Sequence, residues 1–264
     1  MFILSSKSLN RYNLADEQYQ QVLDLHDELP DDLSLFHMTI SHHILYMASK
    51  AGTFALNLQT QQWRKLPPVV AATLKNKSKE PNKIYTVNTD NQQTLYLGSY
   101  DGVLSLNIEN IAAYIANKAT LPDYQSIIKN AGPWRALLDN NTLYFATNRG
   151  LFSVNTRNKK GEFLFGFSDY FNNITNDNMS AIIKDRQGNF WLGSQSLGVY
   201  KWDPSQEIIQ NFGYKKHSDK SLSYNEVWDI KPSSTHKNAL WVATTNGLNL
   251  VNVKNPQVKQ FLVC

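Results

Sequence analysis

The chain has 264 residues, of which 42% are hydrophobic and 18% charged, so it is long enough to bury a large core within one domain. Its net charge of +4 comes from scattered basic residues without a basic stripe, which argues against nucleic acid as the main partner. The one cysteine, Cys264, excludes an intrachain disulfide and a cysteine-rich zinc site, and no apolar run is long enough to span a bilayer.

One short unit recurs along the whole chain. Each copy is an apolar and aromatic run that ends in a small residue followed by a hydroxyl residue. In chain order the copies are Met1–Ser5, which is the most degenerate, and then Leu45–Ser49, Leu95–Ser99, Leu143–Thr147, Phe190–Ser194 and Leu240–Thr244. They lie about 44 to 50 residues apart, which is a period typical of repeat proteins.

Each repeat predicts three or four short antiparallel strands joined by polar turns. A glycine recurs after each of the last five runs, where a hairpin needs positive φ, at Gly52, Gly102, Gly150, Gly198 and Gly247. Because one small sheet cannot cover both of its apolar faces, we expect the sheets to stack radially as propeller blades. The central aromatics would then pack between neighbouring blades, at Tyr46, Tyr96, Tyr144, Trp191 and Trp241.

We therefore predict an all-β fold, a β-propeller of about six four-stranded blades in one domain over residues 1–264. Seven blades in the intact protein is the alternative. Later copies have a strand before the aromatic run, such as Met179 to Ile182, whereas the first copy has none. We expect an incomplete first blade and a chain that is a piece of a longer protein.

One segment departs from the strand pattern. Ile108, Ile111, Ala112 and Ile115 fall on one face at helical spacing. We predict an insertion over residues 107–132, partly helical, in the outer part of its blade, with a second helical turn starting at Leu121-Pro122-Asp123.

Metal and catalytic chemistry have weak support in the sequence. His42 and His43 align with the turn residues Asn140-Asn141, where adjacent side chains diverge, so we predict no metal site and no cofactor. Nucleophile, zinc-protease and phosphate-loop motifs are missing. The paired carboxylates Asp27-Glu28 and Asp31-Asp32 suit a polar connection between blades. We predict that the chain is not an enzyme.

Ligand binding is better supported, because loops at one end of the blades carry aromatic residues beside polar ones. Such groups suit a small polar ligand, including a carbohydrate. The loops before the first strand of a blade supply Trp134, Arg135, Asn178, Tyr224, Asn225 and Glu226, with Asn176 and Asp177 beside Asn178. The turns between second and third strands supply Tyr100, Asp101, Asn148, Arg149, Gln195 and Asn246.

The last two copies resemble the two-component regulator propeller repeat. Ser221–Ile230 and Leu240–Asn249 carry that family's Ser-Leu-Ser-x-Asn-x-Val-x-x-Ile and Leu-Trp-Val-Gly-Thr patterns, and Asp185–Gly188 its Asp-x-x-Gly turn. Two features depart from it: alanine replaces the motif glycine at Ala243, and Lys231–His236 replaces the last Asp-x-x-Gly turn.

The resemblance implies the periplasmic sensing region of a hybrid histidine kinase or related signalling protein, placed ahead of a transmembrane helix, with that membrane segment and the output domain outside the sequence. We therefore hypothesise a non-catalytic sensor propeller that binds a small polar ligand. The alternatives are a scaffold for protein contacts or homodimerisation without a small ligand, and a propeller hydrolase or lyase.

Overall fold

A computed structural model describes residues 2–4, 8–13, 17–24, 34–68, 83–90, 93–169, 178–254 and 257–261. They form two compact units, residues 1–132 and 133–264, and each is described by itself. The predicted single domain stays a prediction. The pairs Asp27-Glu28 and Asp31-Asp32, together with Asn176, Asp177 and Cys264, lie outside the described residues.

The first unit contains three antiparallel sheets and one short helix. Strands β1 (Phe2–Leu4), β2 (Ser8–Asn13) and β3 (Gln18–Asp24) form the first sheet. Strands β4 (Leu35–Ser41), β5 (Ile44–Ser49), β6 (Gly52–Asn57) and β7 (Trp63–Lys65) form the second. The third contains β8 (Ile84–Thr89), β9 (Thr94–Ser99), β10 (Gly102–Asn107) and β11 (Gln125–Lys129), with helix α1 (Ile111–Ile115) before β11.

The second unit contains three four-stranded antiparallel sheets. The first has β12 (Pro133–Asp139), β13 (Thr142–Thr147), β14 (Gly150–Asn155) and β15 (Lys160–Phe165), followed by a 3-10 turn at Phe167–Asp169. The second has β16 (Met179–Lys184), β17 (Phe190–Ser194), β18 (Val199–Asp203) and β19 (Ile208–Phe212). The third has β20 (Val227–Pro232), β21 (Ala239–Thr244), β22 (Gly247–Asn252) and β23 (Val258–Phe261).

Every sheet is built from strands that are consecutive in the chain, which confirms the predicted all-β fold of small antiparallel sheets. In the described part of the first sheet, β1 is the strand of the aromatic run and no strand precedes it. Among the described residues, the first sheet thus has three strands and each of the others has four, as predicted for the first blade.

The repeated aromatic residues mostly lie in the core, as predicted. Tyr46, Tyr96 and Trp191 have no solvent exposure. Trp191 clusters with Val227 and Ile230 of the next sheet, so its large ring fills space between the two sheets. Two other positions, Tyr144 and Trp241, are partly exposed.

The insertion differs from the prediction in extent. Helix α1 covers only Ile111–Ile115, since Asn117 adopts a left-handed backbone with φ of 59°. No helical turn forms at Leu121-Pro122-Asp123, and β11 is the fourth strand of its blade rather than inserted sequence. The helix packs against the neighbouring sheet, where the Tyr114 hydroxyl donates to the Lys65 carbonyl at 2.8 Å.

The turns match their sequence signals. All five predicted turn glycines have positive φ, between 87° and 151°. His42 and His43 also have positive φ, of 49° and 64°, in the two-residue turn between β4 and β5.

Among the described residues, no group of three or more histidine, cysteine, aspartate or glutamate side chains could hold a metal ion. Within the same residues, no helix is both long and apolar enough to cross a membrane.

Candidate ligand-binding site

A β-bulge recurs at the start of the first strand in all five four-stranded sheets. The pairing with the second strand skips one residue in each, between Leu35 and His37, Ile84 and Thr86, Pro133 and Arg135, Met179 and Ala181, and Val227 and Asp229. The skipped residues are Phe36, Tyr85, Trp134, Ser180 and Trp228. Bulges redirect side chains and are common beside functional sites. Four of the five here redirect an aromatic ring.

In the first unit, the two bulge aromatics are neighbours. The ring centres of Phe36 and Tyr85 lie 5.6 Å apart. The Lys83 ammonium lies 5.6 Å from the centre of the first ring and 5.2 Å from that of the second, within cation–π range. Aromatic faces and a cation therefore share one end of these two sheets.

In the second unit, Trp134 joins a hydrogen-bonded chain that crosses between neighbouring sheets. Its Nε1 donates to Asn178 Oδ1 at 2.7 Å, and Asn178 Nδ2 donates to Gln195 Oε1 at 2.5 Å. The Gln195 backbone also donates to the Asn178 carbonyl at 3.2 Å. Three residues from two predicted loop sets are thus brought together, and the indole is fixed in orientation.

Trp228 is held in a similar way on the last sheet. Its Nε1 donates to Thr245 Oγ1 at 3.0 Å, and that hydroxyl donates to Glu226 Oε2 at 2.6 Å. The side chain remains 52% exposed, so the ring presents its apolar surface to solvent while its one polar group is satisfied. An orientated, solvent-facing indole is typical of a surface that stacks on a ligand.

Tyr224 extends this end of the sheet. It is 46% exposed, and its ring centre lies 6.3 Å from that of Tyr214, which is 42% exposed. Asn225, by contrast, holds the backbone of two neighbouring loops. Its Oδ1 accepts from the Tyr214 amide at 2.7 Å, and its carbonyl accepts from the Gly198 amide at 2.8 Å. We therefore assign Asn225 a positioning role.

The remaining predicted residues are more dispersed. Arg135 donates to the Trp134 carbonyl at 2.9 Å, and Asn246 donates to the Ser223 carbonyl at 3.5 Å. Asn148 and Arg149 form the turn between β13 and β14, and Arg149 is exposed. Tyr100 and Asp101 form the turn between β9 and β10 in the first unit, where Tyr100 is 50% exposed.

Sequence reasoning missed four residues: the bulge aromatics Phe36 and Tyr85 in the first unit, and Trp228 and Thr245 in the second. A signal for the first was available, since Phe36 to Tyr46 aligns without a gap on Trp134 to Tyr144. The bulge itself has no local sequence marker such as glycine. We use the name bulge edge for the bulged ends of the three sheets in the second unit, which carry Trp134, Asn178, Gln195, Tyr224, Glu226, Trp228 and Thr245.

The sequence comparisons agree with the predicted repeat. Residues 173–196, which include the Asp185–Gly188 turn and the Trp191 strand, match the family model described as two component regulator propeller. A search of curated proteins found no match to the sequence.

Solved structures extend the similarity to almost the whole chain. Two are extracellular domains described as parts of hybrid two-component systems of B. thetaiotaomicron. One is 16% identical over 99% of this chain and 31% of its own, with a TM-score of 0.68. The other is 16% identical over 100% and 33%, with a TM-score of 0.63. The chain therefore spans about a third of these domains.

A third similar structure is virginiamycin B lyase from Staphylococcus aureus, which is 13% identical over 98% of this chain and 78% of its own, with a TM-score of 0.66. At such identities the structural comparisons concern the fold. Together, these structures support a β-propeller fold for the chain, and one of its repeats, at residues 173–196, matches the two component regulator propeller model.

Proposed function

We propose that the chain is a non-catalytic, extracytoplasmic sensor module of a bacterial signal-transduction protein, which binds a small polar ligand such as a carbohydrate at the bulge edge. The observation that carries this proposal is the pair of tryptophans, Trp134 and Trp228. Hydrogen bonds to Asn178 and Thr245 hold their indole N–H groups. The extracellular nature of two similar structures supports a periplasmic location.

The chemistry of the bulge edge suits a carbohydrate. A sugar ring has an apolar face of C–H groups and a rim of hydroxyl groups. The exposed aromatic faces of Trp228 and Tyr224 suit the apolar face of the sugar. The amides of Asn178 and Gln195 and the carboxylate of Glu226 suit its hydroxyl groups. The bulge edge includes one carboxylate, Glu226, which accepts from Thr245. Glycoside hydrolysis ordinarily needs two carboxylates, so this arrangement favours recognition of a sugar over its hydrolysis.

A thermal-shift screen of the purified chain against neutral mono- and oligosaccharides tests this proposal. We expect at least one sugar to raise the midpoint. In Trp134→Ala, Tyr224→Ala and Trp228→Ala variants, calorimetric titration with that sugar should show affinity lowered about tenfold or more, corresponding to about 1.4 kcal/mol. The physical reason is the loss of a pre-positioned aromatic face.

Phe163→Ala is the matched control, because Phe163 is also 52% exposed but lies on the outermost strand of its sheet, β15. Its sugar affinity should equal that of the unchanged chain. If no sugar shifts the midpoint, the carbohydrate proposal fails and a scaffold for protein contacts becomes the better account. Equal losses in Phe163→Ala and Trp228→Ala would contradict the assignment to the bulge edge.

A further inference from the structure

A cleft of about 460 Å³ lies between two neighbouring sheets of the second unit, at the strand ends opposite the bulge edge. One wall is the turn between β16 and β17, with Lys184, Asp185 and Arg186, and the other is the turn between β20 and β21, which includes Thr235 and Lys237. We call it the turn cleft. It shares no residue with the bulge edge.

The second wall is where the repeat departs from its pattern. Residues 185–188 keep the compact Asp-x-x-Gly turn, in which the Gly188 amide donates to the Asp185 carbonyl at 3.1 Å. In the last blade residues 231–236 replace this turn, and Ser233, Ser234 and Thr235 all line the cleft. The regular turn at residues 185–188 has no hydroxyl residue, so these hydroxyl groups are candidates for specificity.

Hydrogen bonds within the blade hold the carboxylate of Asp185 in the cleft. Asp185 Oδ1 accepts from the Gln187 and Asn189 amides, both at 2.9 Å, and Oδ2 accepts from Trp191 Nε1 at 2.8 Å and Asn189 Nδ2 at 3.1 Å. Its acceptor capacity is occupied by the turn itself. Asp185 is therefore a structural group and does not offer a site for a cation.

The cations of the cleft fall into two classes. Lys184 is paired, with Nζ 2.6 Å from Asp139 Oδ2. Arg186 and Lys237 are exposed, and within the part of the chain that the structure describes neither forms an ion pair or a side-chain hydrogen bond. Two cations without an ion pair therefore border the cleft together with one carboxylate, Asp185, which leaves a net positive charge among these lining residues.

A further cation, Lys259, lines a neighbouring depression. A second depression of about 510 Å³ lies on the other side of residues 235–237 and adds His236 and Lys259 to its lining. The nearby Lys231 is paired with Asp229 at 3.6 Å. Arg186, Lys237 and Lys259 outnumber the one unpaired carboxylate, Asp185, so the net charge of the residues that line these two depressions is positive, and a positive cleft attracts and concentrates anions.

The hydroxyl groups complete the site. Ser233 Oγ accepts from the His236 amide at 3.0 Å, and Thr235 Oγ1 lies 2.9 Å from His236 Nδ1. These bonds fix the turn, and a serine or threonine hydroxyl can rotate to donate to a bound oxygen. Guanidinium and hydroxyl donors together are the groups that bind phosphate oxygens.

The geometry points to an oxyanion site in the turn cleft, which takes a small phosphate-bearing ligand between Arg186 and Lys237. The site lies on a different face of the blades from the proposed sugar site and does not depend on it. Phosphate here stands for the shared chemistry of free inorganic phosphate and a phosphate ester. The volume of about 460 Å³ is large enough for a small ester.

Calorimetric titration of the full chain with inorganic phosphate and with glucose 6-phosphate, at low ionic strength, tests this site. We expect binding of one or both, with affinity lowered tenfold or more in the Arg186→Gln/Lys237→Gln variant. Binding should also weaken when sodium chloride is raised, because salt screens exposed charges. Tighter binding of glucose 6-phosphate would assign a phosphate ester, whereas equal binding would assign the free anion.

Lys215→Gln/Lys216→Gln is the matched control, since it removes the same charge from an exposed loop outside the cleft. It should leave phosphate affinity within twofold of the unchanged chain, as should Trp228→Ala. The inference is overturned if neither phosphate compound binds, if the Arg186→Gln/Lys237→Gln variant binds as well as the unchanged chain, or if both double variants lose affinity equally.

Discussion

Replacing Trp191 with alanine is expected to destabilise the chain by about 3 to 5 kcal/mol, because a fully buried aromatic side chain is lost from the contact between two sheets. Its ring packs against Val227 and Ile230, so a cavity forms that these neighbours fill only in part. Its Nε1 also donates to Asp185 Oδ2 at 2.8 Å, and this bond is lost as well. Urea unfolding followed by circular dichroism measures the change.

Trp228→Ala is the matched control for this prediction. The same residue type is 52% exposed there, so truncation leaves no buried cavity and should cost about 1 kcal/mol or less. A Trp191→Ala variant that unfolds at the same urea concentration as Trp228→Ala would contradict the role of Trp191 as the residue that holds the two sheets together.

The sequence predicts the scaffold well because each blade buries its apolar residues against its neighbours in the same way. Tyr46 and Trp191 stand at equivalent places and both are fully buried, so repetition separates the packing role of the aromatic residue from any role in one site. The positive φ of Gly198 is predictable for a similar reason, since the backbone of the hairpin demands it in every copy.

The candidate site is less predictable because it depends on contacts between residues distant in sequence. Trp134 and Asn178 are visible as loop residues, yet only the fold brings the indole N–H within 2.7 Å of the amide oxygen. Trp228 lies in a strand that also carries core residues, and the bulge after Val227 is what exposes it. A bulge is a register shift between two strands, which a local pattern does not encode.

The turn cleft shows a further limit of the repeat pattern. The sequence identifies residues 231–236 as a departure from the family motif, but does not say what that departure forms. Its consequence depends on the neighbouring turn. The Asp185 carboxylate there accepts several hydrogen bonds, whereas the Arg186 guanidinium forms none with the described residues. Specificity in a repeat protein is thus expected where a degenerate turn faces a regular one across a blade boundary.

Gly198→Ala is expected to lower the free energy of unfolding by about 2 to 4 kcal/mol, through two separate effects. The backbone there has φ of 87°, which an alanine rarely adopts. In addition, the added Cβ would lie 2.5 Å from the Phe212 carbonyl oxygen and 2.8 Å from the Gly213 Cα. Both neighbours are backbone atoms, so β18 and the end of β19 would have to separate.

Gly188→Ala separates these two effects. Gly188 has a similar φ of 92°, but the nearest atom to an added Cβ is the Lys184 Cε at 4.0 Å. Only the backbone strain remains there, and we expect a cost of about 1 kcal/mol, measured by the same urea titration. If both variants lose equal stability, close packing of β18 on β19 contributes nothing at Gly198. A larger loss in Gly198→Ala would show that the recurrent glycine keeps the third and fourth strands in contact as well as turning the hairpin.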